Sequence, residues 1–200
     1  MNKKWEDDAK CCELTWWRKK LKELGSDRFI KYRRGYFEAM LKMFGDKFKP
    51  SGNVVNIGTG AMSIFSFIKV KKAIEVDPAI GNYLEEYKML PWPDFKYYKS
   101  TKPLGDEYAD TVICMNTIDH TSEPLEMVSE IFRILKNGGK LYFEVNFDRY
   151  DSPAHYQKFS AELVKKLFKV GFKFTYTNIK TDCGPLKNWD EYYAIMEKEK

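Results

Sequence analysis

Three short stretches and two histidines carry side chains that could do chemistry. VVNIGTGAMSIF, Val54 to Phe65, is an apolar run that enters a glycine turn at Gly58 and Gly60, with Thr59 between them. A strand, glycine turn and helix in this order bring backbone N–H groups and a helix N-terminus against a nucleotide-like ligand. Asp77 closes the next apolar run, KAIEV, with a carboxylate able to accept both hydroxyl protons of a ribose, and Pro78 follows it. Met115 and Asn116 end a further apolar run, DTVICM. The chain has two histidines, His120 in NTIDH and His155 in DSPAHYQKF, each just past an apolar run. Near-neutral titration suits both to accept a proton from a substrate, which makes them the candidate catalytic residues. Asp119 beside His120 reads as an orienting or capping group. Cys11 and Cys12 are adjacent while Cys114 and Cys183 stand alone, so neither a zinc pattern nor a disulfide framework is present and no metal is expected.

The elements that must position these groups follow from periodicity. Leu14, Trp17, Leu21 and Leu24 recur at helical spacing up to Gly25, and Phe29 to Phe44 repeat the pattern after a possible Ser26 cap. From Asn53 onward short apolar runs alternate with helical stretches, the signature of βα units on a parallel sheet. The strands are NVVNI, KAIEV, FKYYK, DTVICM, KLYFEVNF, FKFTYTNIK and EYYAIMEKE, with helices expected over AMSIFSFI, PAIGNYLEEYKM, PLEMVSEIFRIL and SAELVKKLFKV. The last two strands are too close in sequence for a helical crossover, so they pair antiparallel. The expected fold is α/β, a Rossmann-like, seven-stranded, mostly parallel sheet whose last strand is antiparallel, with helices on both faces and N-terminal cover helices. In such sheets the ligand lies beyond the carboxyl ends of the strands, where all the groups above fall.

Composition sets the outer bounds. The chain has 200 residues, 44% of them apolar, enough for one domain with a sizeable core. Residues 1–49 are expected to form a helical lid and residues 50–200 the α/β core. No stretch approaches the roughly 20 apolar residues of a membrane span. Acids in the first residues argue against a secretory signal, so a cytoplasmic setting is expected. The net charge of +5 is spread over interleaved Lys and Glu; RKKLK (Arg18–Lys22) and KYRR (Lys31–Arg34) read as helix surface rather than a nucleic-acid footprint.

The glycine loop and Asp77 alone do not choose between a dinucleotide and another nucleoside cofactor. The stretch from Tyr108 to Val145, with its RILKNGG turn, resembles class I S-adenosylmethionine-dependent methyltransferases, as does GFKF after the last helix. That resemblance spans about residues 50 to 180. It implies S-adenosylmethionine as cofactor, with Gly58 and Gly60 as the first two glycines of the family loop, Asp77 as the ribose acid, and Met115 and Asn116 lining the cofactor. Asn56 stands where the family usually has an acid, Met62 replaces the third glycine, and Ser100 and Thr101 lie near the adenine position. The N-terminal helices imply an aromatic lid carrying Trp5, Trp16, Trp17, Tyr32, Tyr36 and Phe37, with Arg33 or Arg34 in reach of the cofactor carboxylate. MNTI lacks the Asn/Asp-Pro-Pro-Tyr/Phe motif of amino-nitrogen methylation, and neither a Pro-Cys pair nor a ribose-methylating tetrad occurs. The expected activity is methyl transfer to oxygen or nitrogen of a small molecule or metabolite; the alternative is a catalytically silent, methyltransferase-like binding or partner subunit.

Overall fold

A computed structural model describes residues 3–147, 155, 158–183 and 189–199, with side chains from Lys10 onward. Seven strands form one sheet: β1 (Asn53–Ile57), β2 (Lys72–Val76), β3 (Lys96–Tyr98), β4 (Ala109–Met115), β5 (Leu135–Phe147), β6 (Phe172–Cys183) and β7 (Trp189–Lys198). The spatial order is β3-β2-β1-β4-β5-β7-β6. β1 to β5 pair parallel, and β7 lies antiparallel between β5 and β6, as the short β6–β7 connection requires. The order reverses between β1 and β4, which places the switch point at the glycine loop.

The helices are α1 (Lys3–Phe44), α2 (Ile80–Glu86), α3 (Pro124–Ile134) and α4 (Ala161–Leu167). α1 breaks at Gly25, whose φ of 71° and ψ of 165° no helix contains, so it is two helical segments meeting at the expected stop. Its second segment lays Phe37, Met40 and Phe44 on one sheet face, against Val54, Ile113, Tyr142, Tyr193 and Ile195. On the other face Val128, Ile131 and Ile134 of α3 and Val164 of α4 pack on Val55, Val112, Leu141 and Phe143. Pro124 opens α3 in its first turn, where a missing N–H costs nothing. Ser160 caps α4 by accepting the Leu163 N–H at 3.2 Å.

Two expectations are corrected. AMSIFSFI contains a single 3₁₀ turn, Ile64–Ser66, in place of a helix. Ala61 and Met62 are drawn into a cluster with α1, while Ile64 and Phe65 join the core under the sheet, so the segment bridges two apolar clusters. A helix would present both pairs on one stripe. The strand expected as KLYFEVNF starts earlier: β5 begins at Leu135 and runs through the RILKNGG stretch, where Gly138 takes a φ of 75°, with a register shift where β4 passes from Ala109 to Thr111. Arg133 of that stretch anchors the loop after β3. It donates to Leu104 O at 2.8 Å and to Asp106 at 2.9 Å, and pairs with Glu130, whose carboxyl it holds down at about 2.

Candidate functional site

The carboxyl ends of β1, β2 and β4 meet under the first segment of α1. Gly58 leaves β1 at φ 84°, and a Cβ there would run into the Thr117 side chain, so the loop can pass this close to the end of β4 only at a glycine. The Gly58 N–H donates to Val76 O at 2.8 Å, and Gly60 follows at φ 63°. Asp77 is buried and accepts the N–H of Gly60 at 3.0 Å on one oxygen and that of Ala79 at 2.8 Å on the other. Burial pushes its carboxyl up to about 6 against those two hydrogen bonds. Its remaining lone pairs suit it to a vicinal diol. Pro78 beside it is exposed.

Behind the loop sits Glu75, fully buried in mid-strand. Asn56 Nδ2 and Thr59 Oγ1 each donate to its Oε2 at 2.7 Å, and Ser63 donates to Oε1. Desolvation raises its carboxyl to about 7 although all three hydrogen bonds pull the other way. Asn56 is thereby turned toward β2. Sequence reading passed over Glu75, although an acid among the apolar residues of KAIEV, two places before Asp77, was a visible sign of a buried polar network.

Arg33 of α1 lies over the loop. It is 5% exposed, its terminal nitrogen donates to Met62 O at 3.3 Å, and that nitrogen is 3.7 Å from where a Gly60 Cβ would stand. The guanidinium stacks among Trp17 at 4.5 Å, Phe37 at 4.4 Å and Tyr36 at 5.1 Å. Its buried Nε has no hydrogen-bond partner among the described residues, and burial lowers its pKa. A buried cation with a spare donor beside a glycine loop is suited to a carboxylate. Met62 is fully buried with Leu14, Trp17, Phe29 and Tyr83, so it packs against α1 as part of the cover. Of the expected aromatic lid, Trp17 and Phe37 are buried, Trp16 and Tyr32 are exposed, and the side chain of Trp5 lies outside the described residues. Arg34 instead faces Phe67 at 5.5 Å.

Met115 is buried at the end of β4, and Asn116 takes φ 49° and accepts from Asn146 Nδ2. Ser100 is half-buried in the bend after β3, while Thr101 donates to Glu130 at 2.5 Å and is thus tied to α3. The two histidines, 35 positions apart, come together: their ring centroids are 4.6 Å apart. His120 lies in the 3₁₀ turn Ile118–His120, and its Nδ1 is 3.3 Å from Glu13 Oε1 of α1. Asp119 and His155 are buried beside it. Glu13 and His120 both act on the charge of Asp77, which joins this cluster to the diol-accepting acid.

Residues 56–143 match a family model described as a methyltransferase domain. No curated protein matches the sequence. Among solved structures, the chain resembles a chain of the structure described as the "complex between the Haloferax volcanii Trm112 methyltransferase activator and the putative methyltransferase". There the identity is 15% over 96% of this chain and 98% of that one, with a TM-score of 0.67. A similarly described methyltransferase from Bacillus halodurans gives 14% identity over 82% and 99% of the two chains, TM-score 0.62. The N-methyltransferase NodS from Bradyrhizobium japonicum, in complex with S-adenosyl-L-homocysteine, gives 15% over 84% and 87%, TM-score 0.61. At these identities the likeness is one of fold.

Proposed function

We infer that this chain is a class I methyltransferase that binds S-adenosylmethionine at the ends of β1, β2 and β4 and methylates a small-molecule acceptor there. The observation that carries the reading is Arg33: a buried guanidinium with a spare donor, set against Gly60, whose N–H is in turn held by Asp77. An amino-acid carboxylate at one end and a ribose diol at the other are what those two groups fit.

When bound, the cofactor supplies a methyl group on a sulfonium, open to in-line displacement. The chain's part is placement and desolvation. Arg33 holds the carboxylate, Gly58, Thr59 and Gly60 give the backbone approach, and Asp77, with Pro78 beside it, takes the ribose hydroxyls. Ser100 borders the adenine, and Met115 and Asn116 line the methionine side. Asn56 acts from behind, holding Glu75 in place. α1 covers the loop with Trp17 and Met62 and keeps water out. The acceptor would approach from the His120–His155 end, where that cluster would assist loss of its proton to solvent.

Calorimetric titration with S-adenosylhomocysteine tests the assignment. Arg33→Gln should weaken binding about 10- to 100-fold, the worth of one charge-assisted pair, while circular dichroism stays native. Equal affinity in the two proteins overturns the role of Arg33.

A further inference from the structure

Glu13, Asp119, His120 and His155 converge from three parts of the chain: α1, the turn after β4 and the segment after β5. His120 Nε2 stands 3.9 Å from Asp119 Oδ1, and His155 Nε2 stands 3.7 Å from Asp119 Oδ2. These separations are too long for hydrogen bonds. They are close to those of atoms sharing one ion: two ligands each about 2.1 Å from a metal lie roughly 3.0–3.5 Å apart. One ligating atom from each of the three residues lies within 4.8 Å of the other two. Small side-chain rotations would close them around a cation.

We propose that Asp119, His120 and His155 form a site for a divalent transition-metal ion, with its open positions facing the acceptor. Two imidazoles and one carboxylate on one side of an ion, with the other side left free, is a recurrent arrangement for metals that bind substrate directly. Glu13 completes it from outside. Glu13 Oε1 stands 3.3 Å from His120 Nδ1, and neither ring nitrogen of His120 has a hydrogen-bond partner among the described residues, so Nε2 is free for the ion while Glu13 is placed to take the Nδ1 proton. Asp119 and His155 are 1% and 3% exposed, so the candidate ligands sit within the protein rather than on its surface.

The site deepens the preceding reading and rests on it for its role. An acceptor bearing a hydroxyl or other oxygen donor would bind the ion through that oxygen, which lowers the pKa of its O–H. The proton would pass to solvent, and the oxygen would take the methyl group, its new C–O bond replacing the carbon–sulfur bond and leaving a neutral thioether. The substrate class is therefore an oxygen nucleophile able to coordinate a metal, and the reaction is O-methylation.

The test is a calorimetric titration of the untagged, EDTA-stripped full chain with Zn2+, followed by Co2+ loading read by visible absorption. One saturable site per chain is expected. His120→Ala and His155→Ala should each weaken Zn2+ at least about tenfold, and Glu13→Gln by about 10- to 100-fold, as for other carboxylates behind a ligating histidine. Far-UV circular dichroism identifies any variant that fails to fold, and Glu13→Gln, lying outside the ligand set, keeps the test independent of such a failure. Absence of a saturable site overturns the proposal. So does binding unchanged in His120→Ala, which would belong to Cys11 and Cys12. S-adenosylhomocysteine, titrated in parallel, separates the two readings: homocysteine-nucleoside binding without Zn2+ removes only the metal site, and Zn2+ binding without the nucleoside removes only the methyltransferase role.

Discussion

The side-chain amide of Asn56 donates to the buried carboxylate of Glu75 at 2.7 Å, across the β1–β2 register that pairs the two residues. The acid that the family places on β1 is thus absent, and a carboxylate stands one strand over. Asn56 supplies a donor to Glu75, which is shut away from water.

Glu75 makes the stability of the chain depend on pH. Its folded-state pKa of about 7 lies above the ordinary 4.5, so the native chain holds this proton more tightly than the unfolded one. The resulting stabilisation is complete below pH 4.5 and is lost as pH rises through 7. At about 1.4 kcal/mol per unit, this amounts to ~3 kcal/mol. Glu75→Gln, an isostere that still accepts from Asn56 and Thr59, should flatten that part of the profile in thermal unfolding from pH 5 to 8. An unchanged slope would contradict the assignment.

Restoring the family acid should harm this chain. Asn56→Asp replaces a donor by a second carboxylate in contact with Glu75, and two such groups cannot both ionise cheaply. A loss of about 1–3 kcal/mol is expected, larger at pH 8 than at pH 5, with weaker binding of S-adenosylhomocysteine. A variant as stable as the parent at pH 8 would show that Glu75 is not the residue that fixes Asn56.

Asp77 gives a pH dependence of the opposite sense, in binding. Burial raises its carboxyl to about 6, and only the ionised form offers a full set of acceptors to a diol. Affinity for S-adenosylhomocysteine should therefore rise with pH through about 6 and level off above it. Asp77→Asn should bind about tenfold more weakly at pH 7.5 and lose that slope. The same slope in the variant would assign it to another group.

Gly58→Ala tests the closeness of the loop to β4. The added methyl meets Thr117 and the backbone must hold φ 84°, so about 1–3 kcal/mol of stability should be lost. Thr117→Ala in that background removes the collision and not the strain, and should recover part of the melting temperature. Full recovery would mean that φ carries no cost.

The strands were legible because each is a short apolar run bounded by turn residues, and Gly25 and Pro124 marked a helix break and a helix start by their own backbone limits. The segment after β1 was misread as a helix because apolar content was visible and its division between two clusters was not. That Gly58, Gly60 and Asp77 fall just past the ends of β1 and β2 was readable from spacing. Arg33 was one of two candidates, and only the fold of α1 over Gly60 separates it from Arg34. The meeting of Glu13 with His120 and of His120 with His155 depends on how distant segments pack, which no local pattern encodes.

Titration of the wild-type chain with S-adenosylmethionine, with NAD as the control, bears most directly on the central claim. One saturable site per chain is predicted, in the micromolar range, with no heat from NAD at the same concentrations. No heat from S-adenosylmethionine at hundreds of micromolar, or a preference for NAD, would contradict it.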